Sequence, residues 1–139
     1  IMNIAIINGP NLNMLGKREP EHYGSSTLDE INNQIKSTFT DIDFNFFQSN
    51  SESDLINFIH DLKVDYIVFN PAAFTHTSVA LRDAIKSINV PFYEVHLSNV
   101  HRREPFRHQS FFSDSAVAVI CGLGKQGYFS AIQHIIENS

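Results

Sequence analysis

Short apolar runs alternate with helical periodicities along this chain. Ile4-Ala5-Ile6-Ile7, Tyr66-Ile67-Val68-Phe69, Phe92-Tyr93-Glu94-Val95 and the stretch from Ala116 to Ile120 read as strands covered on both faces. Between them, apolar residues recur at helical spacing: Leu28, Ile31, Ile35 and Phe39; then Leu55, Ile59 and Leu62. Leu81, Ala84, Ile85 and Ile88 form a third face, and Tyr128, Ile132, Ile135 and Ile136 a fourth. Thr27-Leu28-Asp29-Glu30 has the spacing of a capping box at the start of the first helix. Ile42-Asp43-Phe44-Asn45-Phe46 instead alternates apolar with polar, so one of its faces is wet, as at a sheet edge.

Five strand–helix units whose second strand lies at an edge predict an α/β, flavodoxin-like doubly wound parallel sheet. The expected order is 2-1-3-4-5, in a single domain over residues 1–139. In such sheets ligands bind outside the carboxyl ends of the strands, where the order reverses, here between strands one and three. Three segments therefore carry the functional question: Asn8-Gly9-Pro10-Asn11, Asn70-Pro71-Ala72-Ala73, and whatever follows Glu94-Val95-His96.

Composition narrows the partners. The 139 residues carry a formal net charge of −5, which argues against nucleic acid or an anionic membrane. An anionic ligand must then be held by local cations. One cysteine, Cys121, excludes an intrachain disulfide and reads as buried packing. No apolar run reaches membrane-spanning length, and the first residues lack the layout of a secretory signal. The expected compartment is the cytoplasm.

The first connection, from about residue 8 to 26, is far longer than an ordinary βα turn, as lids and binding loops are. Residues 16–24 of it form the expected lid, where Arg18 and Tyr23 pair plausibly. Tyrosine ordinarily ionises near pH 10, and a neighbouring cation lowers that value, which makes a general base; an exposed Tyr on an Arg stem is the alternative. After strand three, Thr75, Thr77 or Ser78 could cap the next helix. His76 there is either a packing histidine or a donor to an oxygen-rich ligand. On strand four, the i, i+2 spacing puts Glu94 and His96 on one side. A carboxylate there orients an imidazole and holds it protonated as a general acid, unless the two are a surface ion pair. Arg102, Arg103 and Arg107 fall within six residues and suggest an anion site. The seven histidines show no HExxH or Cys/His ligand spacing, so no metal is expected.

Taken together, the segments resemble the type II 3-dehydroquinate dehydratases. The matches are Asn8-Gly9-Pro10-Asn11-Leu12, Leu15-Gly16, Arg18-Glu19-Pro20, Tyr23-Gly24, Gln48-Ser49-Asn50 and Asn70 with Thr75-His76-Thr77-Ser78. Leu81-Arg82-Asp83-Ala84, Glu94-Val95-His96-Leu97-Ser98-Asn99, Phe106-Arg107, Gly122-Leu123-Gly124 and Gln126-Gly127-Tyr128 complete them. The resemblance implies cofactor-free elimination of water from 3-dehydroquinate, through an enolate, to give 3-dehydroshikimate in the shikimate pathway. It implies Tyr23 as base, Arg18 as the residue that lowers its pKa, His96 as acid oriented by Glu94, and Asn11 as helper of the enolate. Asn70, His76, Leu97, Ser98, Arg103 and Arg107 would contact substrate, with Asp83 from a neighbouring subunit. Trimers gathered into a dodecamer would be the assembly.

Other classes fit less well. A mononucleotide-binding or receiver module shares the fold, but the first loop has neither a phosphate cradle nor an acidic cluster. A metal-dependent lyase or hydrolase and a non-catalytic interaction protein are the remaining competitors. The class of dehydratase that uses a lysine Schiff base needs a TIM barrel, which 139 residues cannot form.

Overall fold

The computed structural model describes residues 1–17, 21 and 24–139. Its strands are β1 (Met2–Asn8), β2 (Ile42–Gln48), β3 (Tyr66–Asn70), β4 (Phe92–His96) and β5 (Ala118–Cys121). All pair in parallel, in the order β2-β1-β3-β4-β5. Among the described residues the helices are α1 (Leu28–Thr38), α2 (Glu52–His60), α3 (Val79–Ser87) and α4 (Gln126–Asn138).

The pleat divides each central strand between two cores. Ile4 and Ile6 of β1, Val68 of β3, and Tyr93 and Val95 of β4 share one with Ile31, Ile35, Ala131, Ile132 and Ile135 of α1 and α4. Ala5 and Ile7, Ile67 and Phe69, and Phe92 share the other with Leu55 and Ile59 of α2 and Leu81, Ala84 and Ile85 of α3. Continuous apolar runs arise because both faces are covered. Phe112, fully buried, closes the second core by meeting Phe69 edge-on, with ring centroids 5.3 Å apart.

β2 is an edge strand with Asp43 and Asn45 exposed, as its alternation predicts. The opposite edge differs from expectation. β5 begins at Ala118 rather than Ala116, and Val117 and Val119 are about half exposed. Among the described residues nothing covers their outer side, so an all-apolar run here marks an edge and not an interior. Cys121 at its end is only partly buried, not a sealed packing residue. Ile136, the last residue of the predicted α4 stripe, also faces outward.

The caps follow the sequence. Thr27 accepts from the Glu30 N–H and the Glu30 carboxylate accepts from the Thr27 N–H, the reciprocal pair that satisfies two orphan donors of α1. Ser78 is the residue that caps α3, its Oγ 2.9 Å from the Leu81 nitrogen. His76 lies earlier than the helix start, in a 3-10 turn over Ala72–His76.

Candidate active site

A cleft of about 130 Å³ opens at the carboxyl ends of β1, β3 and β4, where strand order reverses. Its floor comes from three chain segments. Asn11, Leu12 and Leu15 follow β1; Asn70, Ala72, Ala73 and His76 follow β3; His96, Leu97, Ser98, Val100, Arg103 and Arg107 follow β4. Short-range sterics hold the first two together. The Gly9 nitrogen donates to the Asn70 carbonyl at 2.8 Å. A Cβ on Gly9 would sit 2.3 Å from the Pro71 carbonyl oxygen, so only glycine allows this approach.

Asn11 adopts a left-handed conformation, φ 71°, which asparagine tolerates better than most residues. Its N–H donates to Asn50 Oδ1 at 2.9 Å, and that oxygen also accepts from Gln48 Nε2. Gln48 donates a second time to the Gly9 carbonyl at 3.1 Å. The segment after the edge strand thus braces the loop after β1. Sequence reasoning gave Gln48 and Asn50 no role beyond resemblance; their polarity at the end of a strand was the available signal.

Glu94 and His96 project from the same side of β4, and both are buried. The Glu94 Oε2 to His96 Nε2 distance is 2.5 Å. Glu94 is not left to one partner: Oε1 accepts from Ser113 Oγ at 2.7 Å, and Thr75 Oγ1 approaches Oε2 at 3.4 Å. Burial opposes ionisation of Glu94. The hydrogen bond and charge of His96, with the hydroxyls of Ser113 and Ser110, outweigh it and hold the carboxyl below the usual range. An ionised Glu94 can only accept, so the hydrogen bond between the two is donated by His96 Nε2–H. The surface ion-pair reading is excluded by burial.

His76 Nδ1 donates to the Gln109 carbonyl at 2.7 Å. Burial lowers its pKa, the Gln109 bond opposes this, and nearby His96 and Arg107 lower it further. A neutral ring so tied leaves Nε2 as an acceptor, which differs from the donor the sequence suggested. The 109–113 segment therefore supports both histidines, since Gln109 holds His76 and Ser113 holds Glu94. Sequence reasoning missed it. Its anchor is Phe112 in the core, a contact that no local pattern reveals.

Two of the three clustered arginines reach the cleft. Arg103 Nη1 donates to Ser98 Oγ at 3.2 Å, and Arg107 Nε donates to Glu104 Oε1 at 3.0 Å. Arg102 is exposed and does not line the cleft. Asp83 is exposed on α3, outside this chain's own cleft. Arg18 and Tyr23 lie outside the described residues. Among the described residues no three His, Cys, Asp or Glu side chains converge as a metal site, and no helix is long and apolar enough to cross a membrane.

The model of the family described as dehydroquinase class II matches residues 2–136. The chain belongs to the class II dehydroquinase family. The 3-dehydroquinate dehydratase of Shewanella sediminis is 59% identical over 136 residues, covering 96% of this chain and 90% of that protein. The 3-dehydroquinate dehydratase of Pseudoalteromonas translucida is 60% identical over 138 residues, covering 96% and 92%. In structure, the type II dehydroquinase of Butyrivibrio crossotus superposes with a TM-score of 0.93 at 41% identity, covering 99% of this chain and 98% of that one. The doubly wound dehydroquinase fold and its strand order thus match the sequence expectation.

Proposed function

We propose that this class II dehydroquinase is a 3-dehydroquinate dehydratase, a hydro-lyase that converts 3-dehydroquinate to 3-dehydroshikimate and water without metal or cofactor. The observation that carries the reading is the buried Glu94–His96 pair at the edge of a cleft furnished with two arginines. A carboxylate that is held ionised keeps an adjacent imidazole oriented and favours its protonated form, which suits an acid acting on a leaving hydroxyl.

The reaction needs a base, an acid and anion stabilisers, and each has a candidate. Tyr23, ionised beside Arg18, removes the proton alpha to the C3 ketone, and the electron pair moves into the enolate. Asn11 helps to hold the donors that stabilise the enolate oxygen. The enolate then re-forms the ketone and expels the C1 hydroxyl, which takes a proton from His96 and leaves as water. The double bond formed is conjugated to the ketone. Arg107, Ser98 and the Leu97 backbone hold the substrate carboxylate and hydroxyls, with Asn70, His76 and Arg103. Glu104 lies against Arg107 and must share or yield that guanidinium when an anion binds.

We propose further that the enzyme acts in the cytoplasm, and that trimers assemble into a dodecamer in which Asp83 completes a neighbour's cleft. Exposed Val117, just before β5, and Val119 on that edge strand, with exposed Val79 beside the α3 cap, support burial of apolar surface between subunits. The test of the activity is direct. The purified chain is incubated with 3-dehydroquinate and the conjugated enone product followed by ultraviolet absorbance. Absorbance should grow with time; a flat trace rejects the reading.

A further inference from the structure

The geometry points to Tyr128 as a positioning residue that fixes which way the Asn70 side-chain amide faces in the cleft. The inference rests on the reading above for its kinetic consequence, but not for its structural basis. Tyr128 begins the buried stripe of α4 and is fully buried. Its hydroxyl lies between two asparagines that end neighbouring strands in register, Asn8 of β1 and Asn70 of β3. The Tyr128 Oη donates to Asn8 Oδ1 and accepts from Asn70 Nδ2, the latter at 3.1 Å.

Donor and acceptor identities make this chain determinate. The Ala72 N–H can only donate, and it lies 3.1 Å from Asn70 Oδ1. The Asn70 oxygen is thereby assigned, so its nitrogen must face Tyr128. The phenol oxygen accepts the hydrogen bond from that nitrogen and donates its own to Asn8 Oδ1. An asparagine amide has two N–H groups and only one is used here. The second remains for the cleft, which Asn70 lines. Asn70 thus offers a donor, and it is oriented from below by a group that never meets the substrate.

The seat of the phenol is rigid. A Cβ on the neighbouring Gly127 would come within 3.1 Å of Val95 Cγ1, so the first turn of α4 lies tightly on β4. Asn8 and Asn70 point to the α4 face of the sheet, whereas Glu94 and His96 point to the α3 face. The site therefore straddles the carboxyl end of the sheet, with the acid supported from one side and the Asn70 donor from the other.

Tyr128→Phe tests the inference because it removes the hydroxyl and keeps the ring. Tyr93→Phe is the matched control: it too removes a hydrogen bond between sheet and α4, to His134 Nδ1 at 2.6 Å, away from the cleft. Both variants should melt earlier than wild type. Only Tyr128→Phe should lower kcat/KM, mainly through KM, by about tenfold to hundredfold, since small displacements of positioning groups cost up to about 10²-fold. In an Asn70→Ala background the same change should cost no further activity, because the group it orients is gone. Unchanged kinetics in Tyr128→Phe, or losses that simply add in the double variant, would overturn the proposal. A second measurement needs neither variant nor turnover. In wild type, one Asn70 Nδ2 proton should be protected from solvent exchange in amide NMR spectra; two protons exchanging at the solvent rate also overturn it. A wild-type chain that turns over no 3-dehydroquinate rejects the functional reading and leaves this amide measurement standing.

Discussion

The Glu94 carboxylate and the His96 imidazole meet at 2.5 Å inside the protein, two residues apart on one strand. Neither can be understood alone. Glu94 stays ionised against the cost of burial because His96 and two serine hydroxyls donate to it, and His96 keeps its orientation because that carboxylate is fixed.

Glu94→Gln should lower both stability and turnover, the former by about 1–3 kcal/mol, the range for disturbing a buried hydrogen-bonded group. The folded pKa of Glu94 lies below its unfolded value, so its stabilisation is complete above the ordinary glutamate pKa of about 4.3. It drains as pH falls through the depressed folded value. The gap in Tm between wild type and Glu94→Gln should therefore be full near neutrality and shrink in acid. A gap that widens on acidification contradicts the assigned direction.

His96→Ala should lose mainly kcat, and His76→Ala a larger share through KM. His76 is held neutral by burial, with Nε2 left as an acceptor, so protonating it removes that acceptor. Substrate affinity should weaken as pH falls below the ordinary histidine range, and His76→Ala should flatten that dependence. Unchanged kcat in His96→Ala would move the acid elsewhere, with His101 as the first alternative.

Gly9→Ala should destabilise the fold by about 1–3 kcal/mol, the usual cost of overpacking. The new methyl would strike the Pro71 carbonyl at 2.3 Å, which must move and carry Asn70 with it. KM should rise together with the fall in Tm. A variant with wild-type Tm and KM would show that the two loops separate freely.

Tyr23→Phe should fold normally and nearly abolish turnover, since it removes the proposed base and preserves shape. Arg18→Lys should also fail despite keeping charge, because a point charge does not reproduce the planar guanidinium fork. Near-normal rates in Tyr23→Phe would remove the base from the mechanism.

Asp83→Ala should impair substrate binding without unfolding the chain, and dissociating the assembly should reduce activity per chain. Asp83 stands outside its own chain's cleft, so an effect on KM has to reach a neighbouring one. A fully active monomer by light scattering defeats the shared site and leaves Tyr23 and His96 untouched.

Much of this protein is legible in local pattern. Period-2 and period-3.6 spacing identify strands and helices, because a side chain's direction follows from its own backbone. The wet face of Ile42–Phe46 places β2 at an edge, and the reversal between β1 and β3 then locates the cleft. The i, i+2 spacing of Glu94 and His96 already puts them on one side. What tertiary structure alone decided is where unrelated segments meet. Val119 is exposed because, among the described residues, no element lies beyond β5, which its apolar sequence cannot express. Arg103 and Arg107 reach the cleft while Arg102, at the end of a 3-10 turn over Val100–Arg102, is exposed outside it. Gln109 and Ser113 support the two histidines only because Phe112 is buried against Phe69. Tyr128 reads as one more apolar position on α4. Its hydroxyl acquires a task only when folding brings Asn8 and Asn70, 120 and 58 positions away in sequence, to within hydrogen-bonding distance.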